Sequence, residues 1–167
     1  MSARTWLALA ALAFAPSALA CSCGNTTPER VFDESTQVIF AKIVGVEDVG
    51  AKSVPTGAFE PGHNYGIRAT FELLDTFKGD AQALDALGTG YGGGDCGVSL
   101  VPGRSYLLNV RAHGTVGSCG IVREVDPTNC RWPALRDALL ARGRDGATSL
   151  DLPPADDLKL SGECAAP

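Results

Sequence analysis

Apolar and polar residues alternate along residues 67–78, which is the period-two pattern of a strand with one buried face. Residues 37–47 are instead apolar on both faces, and this predicts a strand enclosed on both sides, with Gly45 marking a bulge or bend. Further strands are predicted at residues 83–89, 106–113 and 116–125. The pattern therefore predicts a mainly β protein.

Two short helices complete the predicted fold. Thr26 is placed to cap the first helix, Pro28 lies in its first turn, and Glu29 stands three residues after the cap, as in a capping box. The second helix is predicted at residues 129–142, and Gly143 follows as its expected end. Its apolar side chains recur at helical spacing: Trp132, Leu135, Leu139 and Leu140.

The first twenty residues have the pattern of a secretory signal peptide. Arg4 precedes an apolar run at residues 6–15, and Pro16 ends that run. Small residues at 17–20 then supply an A-x-A-like cleavage site. The segment is too short to span a bilayer, and no later segment has the ~18 apolar residues that a spanning helix needs.

Removal of residues 1–20 leaves one domain, 21–167, which we expect to be secreted to an extracellular or periplasmic space. Alternatively, Cys21 carries the lipid of a bacterial-type lipoprotein and anchors the protein to a membrane. The tail from about residue 145 is expected to be irregular. It is Pro-rich and acidic from Asp151 on, and we expect only Cys164 to anchor it.

The charge composition excludes some classes of binding partner. The chain has 14 Lys and Arg against 19 Asp and Glu, a formal net charge of −5, and it lacks a basic run. Nucleic acid and anionic lipid both need clustered cations, so neither is an expected partner. The hydrophobic share of 45% is enough for a packed core, and we expect a monomer.

Six cysteines in an exported chain indicate three disulfides, although spacing alone leaves their pairing open. These are Cys21, Cys23, Cys96, Cys119, Cys130 and Cys164. A zinc site would need paired Cys or His ligands, but the two histidines, His63 and His113, stand apart from any Cys pair. We therefore expect neither a metal of its own nor a cofactor.

The sequence does not indicate an enzyme. It offers no defensible Ser/His/Asp or Cys/His arrangement, and thiol exchange at Cys21 and Cys23 is the best enzymatic alternative. The Gly-rich residues 90–97 lack the Lys-Ser/Thr ending and the following helix of a phosphate-binding loop. A connector pinned at Cys96 is the better interpretation.

Several short motifs occur in a suggestive order. They are Cys21-Ser22-Cys23 after the cleavage site, Phe77-Lys78-Gly79, Cys96-Gly97, Gly103-x-x-Tyr106-Leu107, and Cys119 before a Trp-Pro helix. This order resembles the netrin-module superfamily and, more closely, the N-terminal inhibitory domain of the tissue inhibitors of metalloproteinases. The resemblance covers residues 21 to about 142. Two features of the animal inhibitors are missing: an early-helix Cys, where Val31-Phe32-Asp33 stands, and the second cysteine-rich subdomain.

The resemblance implies a five-stranded oligonucleotide/oligosaccharide-binding (OB) type barrel flanked by helices. It also implies disulfides between Cys21 and Cys96 and between Cys23 and Cys119, and it leaves Cys130 to pair with Cys164. The function it implies is that of a secreted metalloendopeptidase inhibitor. The protease-contacting residues would be Cys21, Ser22, Cys23, Gly24, Asp95, Cys96 and Gly97.

The chemistry of such a terminus follows from its atoms. The α-amine and the carbonyl oxygen of a free Cys21 can form a five-membered chelate on a divalent metal. An α-amine pKa of about 7.7 to 8.0 leaves a useful neutral fraction at physiological pH. The pair would displace the attacking water from a protease's catalytic zinc.

The loop 48–64 would add peripheral contact with the protease through Phe59 or Tyr65. The alternative is an extracellular or lipid-anchored interaction module of the same fold that inhibits nothing.

Overall fold

A five-stranded antiparallel sheet with two flanking helices makes up the fold. The computed structural model describes residues 23–24, 26–50, 66–92 and 95–159. Its helices are α1 (Pro28–Glu34) and α2 (Trp132–Asp145). Its strands are β1 (Gln37–Asp48), β2 (Ile67–Lys78), β3 (Leu87–Thr89), β4 (Ser105–Val110) and β5 (Val122–Glu124). The strand order is β3-β2-β1-β4-β5, and the mainly β prediction is confirmed.

Strand β1 lies at the centre of the sheet and explains the burial pattern. It pairs with β2 from Val38 to Asp48 but with β4 only from Gln37 to Lys42. Its first half is buried on both faces, as predicted, whereas Val44 and Val46 are exposed, so the prediction of a strand enclosed on both sides is wrong for the second half. The register shifts between Ile43 and Gly45, which confirms the predicted bulge.

Alternate residues of β1 face two separate hydrophobic clusters. Val38 and Phe40 join the cluster beneath the helices, where the Phe40 ring centroid lies 4.3 Å from that of Trp132. Ile39 and Ala41 join the cluster on the opposite face. All six residues of β4 are buried because the sheet is covered on both sides. The sheet is therefore the middle layer between two cores.

Three strands are shorter than predicted. β3 begins at Leu87, not at residue 83, and β4 ends at Val110, not at residue 113, where a short helical turn, Ala112–Gly114, follows. β5 has only three residues, and Cys119 lies in a turn before it, not within the strand. The Gly120 N–H donates to the Gly117 carbonyl at 3.1 Å, so the two glycines turn the chain where the prediction continued it. Among the described residues, β3 and β5 are not paired with each other, and the sheet is open. A single parallel bridge joins Gly88 of β3 to Thr115.

The boundaries of both helices differ from the prediction, and α2 begins at Trp132, not at residue 129. Thr27, not Thr26, caps α1, because its hydroxyl accepts the N–H of Arg30 at 3.3 Å. Helix α2 runs through Gly143 and ends at Gly146, which has the left-handed φ of 66°. A Cβ at Gly143 would lie 2.0 Å from the Phe77 carbonyl oxygen. Gly143 therefore allows α2 to approach β2 closely and does not stop the helix.

The expectation that only Cys164 anchors the tail is wrong. Leu150 and Leu158 are buried in the core beneath the helices. The Leu158 carbonyl accepts the N–H of Asp126 at 2.8 Å, and the Asn129 amide donates to the Asp157 carbonyl at 2.8 Å. Apolar packing thus holds the tail through one short helical turn, Ala155–Leu158. Cys164 itself lies outside the described residues.

Glu29 has a different role from the predicted capping box. Its carboxylate accepts the backbone N–H of Leu150 at 2.9 Å and the Ser149 hydroxyl at 3.2 Å. The Leu150 hydrogen bond is the main cause that lowers the pKa of Glu29 to about 2. Glu29 therefore ties α1 to the start of the tail.

Of the helices in the described ranges, none has the length and apolar character to cross a membrane.

The packing of the tail can be tested at Leu158. Leu158→Ala removes a fully buried side chain, so we expect the free energy of unfolding to fall by about 2–5 kcal/mol in chemical denaturation. The control is Leu74→Ala, because Leu74 is exposed and should change the value little. Equal stability of the Leu158 variant and the unmodified protein would show that the tail is not part of the core.

Candidate functional site

The predicted disulfide between Cys23 and Cys119 is present. It joins the start of the described chain to the turn before β5, with an S–S distance of 1.96 Å and a Cα–Cα distance of 5.1 Å. Cys23 and Gly24 are exposed. Chain ends fray unless they are tied down, and a cross-link over 96 residues removes much of that freedom. The segment at Cys23 is therefore held at one fixed place on the sheet.

In the turn that carries Cys119, Gly120 lies so close to β4 that a side chain would not fit there. A Cβ there would lie 1.9 Å from Oδ1 of Asn109, a residue of β4 that is itself buried. The Asn109 backbone N–H also donates to the carbonyl of Ile121 at 2.8 Å. The turn therefore packs directly against β4, and this fixes the position of Cys119.

Cys96 lies beside the same turn. Its carbonyl oxygen accepts the N–H of Ser118 at 2.8 Å, and a Cβ at Gly117 would lie 3.2 Å from that oxygen. Cys96 has a φ of 59°, which is uncommon for a residue with a side chain. The structure thus brings together the loop of Cys96 and the loop that bonds Cys23, although the residues are far apart in sequence.

The described cysteines are all oxidised: Cys23, Cys96, Cys119 and Cys130. The predicted partners of Cys96 and Cys130 are Cys21 and Cys164, and both lie outside the described residues. Ser22, His63, Phe59 and Tyr65 lie outside them as well. The pairings of Cys21 and Cys164 therefore stay predictions.

Asp95 organises the Gly-rich loop from inside. Its carboxylate accepts the backbone N–H groups of Tyr91 at 2.7 Å and of Gly92 and Gly97 at 2.9 Å each. These hydrogen bonds, that of Gly97 first, lower the pKa of Asp95 because they stabilise the ionised form. A Cβ at Gly90 would meet this carboxylate at 2.5 Å. Asp95 thus binds the backbone of its own loop, and its predicted contact with a protease stays a prediction.

Tyr91 connects this loop to the sheet through a contact that the sequence pattern did not predict. Its hydroxyl donates to Oδ1 of Asp48 at 2.6 Å, at the end of β1. This hydrogen bond is the largest cause that lowers the pKa of Asp48 and raises that of Tyr91. The ring lies over Gly66, where a Cβ would be 2.1 Å from it. In the sequence, the one signal of this contact between Tyr91 and Gly66 is that a glycine stands directly before β2.

Two shallow cavities border the disulfide-bearing loops. One, of about 300 Å³, lies between the end of α1 and Cys119, and the other, of about 160 Å³, lies between Cys96 and Gly117. Arg111, the residue after β4, lines both. The wall of the larger cavity combines polar and apolar side chains and includes Asn109. These cavities flank the candidate site and do not enclose a reaction centre.

Within the ranges that the structure describes, no group of three or more His, Cys, Asp or Glu side chains could hold a metal ion. His113 lies in the short helical turn after β4, with a φ of 63°.

No protein-family model matches the chain, and no curated protein matches it. The candidate site is therefore defined by its own geometry, and the resemblance to the metalloproteinase inhibitors stays a prediction.

Asp95 provides a direct test of the loop. In Asp95→Asn, an amide replaces a carboxylate that binds three N–H groups, so hydrogen exchange at Tyr91, Gly92 and Gly97 should accelerate several-fold. In the unmodified protein these amides should be protected above the ordinary Asp pKa and lose protection as the pH falls through the lowered pKa of Asp95.

The matched control for this test is Asp126→Asn. Asp126 is another carboxylate whose Oδ1 accepts a nearby backbone N–H, that of Thr128, at 2.8 Å. That variant should accelerate exchange at Thr128 and leave the Gly-rich loop unchanged. If Asp95→Asn left exchange in its loop unaltered, Asp95 would not be the group that holds the loop.

Proposed function

We propose that the protein is a secreted metalloendopeptidase inhibitor whose mature N-terminal residue, Cys21, chelates the catalytic zinc of the protease. One observation carries the proposal: the Cys23–Cys119 disulfide holds the segment that follows Cys21 directly beside the loop of Cys96. The chain between Cys21 and Cys23 spans at most about 7 Å, so a clamp at Cys23 limits where the terminus can lie.

The second support is the state of Cys96. It is oxidised, and its backbone is hydrogen-bonded to the turn that carries Cys119. A bond from Cys96 to Cys21 would place two cross-links side by side at the tip of the chain. A pre-ordered tip loses little conformational entropy when it docks, and this favours tight binding. Gly24, which has open space around it, would let the chain pass close to the partner.

The inhibitory chemistry needs only the backbone atoms of Cys21. A catalytic zinc has three protein ligands and one open position that holds water. The neutral α-amine and the carbonyl oxygen of Cys21 would take that position and displace the nucleophile. The Cys21 thiol would take no part, because the proposed bond to Cys96 would occupy it. The terminus at residues 21–24 would form the first edge of a wedge that enters the protease cleft, and the loop of Cys96 would form its second edge. Asp95 and Tyr91 contribute indirectly, since they hold that loop.

We also infer that residues 1–20 are a signal peptide and that the sheet belongs to an OB-type barrel. The barrel is supported by the parallel bridge between Gly88 and Thr115 and by the Val116 N–H, which donates to the Gly88 carbonyl at 3.0 Å. Such contacts link β3 to the chain that leads into β5. They lie at the place where a barrel of this strand order would close.

The proposal is tested by blocking the terminus. The processed protein that begins at Cys21 should inhibit zinc endopeptidases of a broad panel, whereas a chain with one extra N-terminal Ala should lose at least two orders of magnitude in inhibition constant. The reason is that the added residue converts the chelating amine into a peptide nitrogen, which is a poor metal ligand.

The control for the extension is an extra residue at the C-terminus, which should leave inhibition unchanged. Thermal unfolding of both chains should match that of the unmodified protein, so that a loss of inhibition cannot be attributed to misfolding. Equal inhibition by the Ala-extended chain would exclude chelation by Cys21. A lipid on the Cys21 amine of the exported protein would favour the interaction module instead, since an acylated amine cannot chelate.

A further inference from the structure

Most described arginines are paired within the protein. Carboxylates lie opposite Arg30, Arg68, Arg104, Arg131, Arg136 and Arg142. Arg123 donates to the carbonyl of Val122 at 3.0 Å. Two guanidinium groups, those of Arg111 and Arg144, make neither a hydrogen bond nor an ion pair with any described residue. Both residues are exposed.

Arg111 differs from Arg144 in where it lies. It lines the larger cavity together with Cys119 and the smaller one together with Cys96, so it stands between the two disulfide-bearing loops. Its backbone is fixed, because its N–H donates to the carbonyl of Thr115 at 2.9 Å and the two residues form an antiparallel bridge. Arg144 belongs to the last turn of α2 and lines neither cavity.

The surroundings of Arg111 are suited to a polar ligand group. The larger cavity is lined by the buried Asn109 and by the exposed residues Thr26 and Thr36, whose hydroxyl groups are able to donate to an anionic group. The one carboxylate in that wall, Glu34, is already paired with Arg30 at 2.7 Å. The N–H groups of the Arg111 guanidinium are therefore available at this cavity to bind a group of another molecule.

We propose that Arg111 is a partner-recognition residue, which binds a carboxylate side chain on the surface of the inhibited metalloendopeptidase next to its active-site cleft. This inference rests on the proposed function. A guanidinium presents a planar fork of donors that matches a carboxylate with two parallel hydrogen bonds. The protein as a whole carries a net charge of −5, so this contact is local and selects among proteases by the charge at one point on their surface.

The test compares Arg111→Gln and Arg111→Glu with the matched variant Arg144→Gln, against the protease that the unmodified processed protein inhibits most strongly. Loss of one interfacial charge pair should raise the inhibition constant about tenfold for Arg111→Gln, and reversal of the charge should raise it further. Arg111→Lys should restore part of the affinity. Arg144→Gln should have no effect.

Salt dependence separates recognition from a structural role. The advantage of the unmodified protein over Arg111→Gln should shrink as ionic strength rises, because salt screens the pair, while thermal unfolding of the two proteins stays equal. If the unmodified protein inhibits and the Arg111 variants match Arg144→Gln, this inference is wrong and the proposed function stands. If the unmodified protein inhibits no zinc endopeptidase, both are wrong.

Discussion

The candidate site depends on the way the chain around Cys119 is held. Gly120 packs against the Asn109 amide, the Ser118 N–H binds the Cys96 carbonyl, and the Cys119 sulfur bonds Cys23. One short turn therefore fixes three parts of the chain that are distant in sequence: β4, the Gly-rich loop and the N-terminal segment. If that turn moved, the two edges of the proposed wedge would no longer lie side by side.

Helix α1 holds the N-terminal segment from its other end. It begins four residues after Gly24, and its Asp33 accepts from the guanidinium of the buried Arg142 in α2. Its Glu29 accepts from the backbone at Leu150. The segment is thus tied to the sheet by a disulfide on one side and to the helix layer on the other. This double attachment supports the proposal that the N-terminal segment is pre-ordered for docking.

The periodic parts of the sequence were predicted well and the close contacts were not. β2 matched its alternation and the bulge at Gly45 was confirmed, because strand period and glycine position are local signals. The Cys23–Cys119 pair was confirmed as well, but its residues lie 96 positions apart and only the resemblance to the metalloproteinase inhibitors implied it. Gly143 was misread because only the tertiary approach of α2 to Phe77 explains it. The Tyr91–Asp48 contact joins residues 43 positions apart, whose proximity no spacing encodes.

The proposed inhibition depends on an unblocked amine held by two neighbouring disulfides, and peptide mapping of the exported protein without reduction tests for both. We expect a chain that starts at Cys21 with an unmodified α-amine, and a cross-linked fragment that contains Cys21 and Cys96 alongside the one that contains Cys23 and Cys119. An acylated first residue, or a bond from Cys96 to a cysteine other than Cys21, would contradict it.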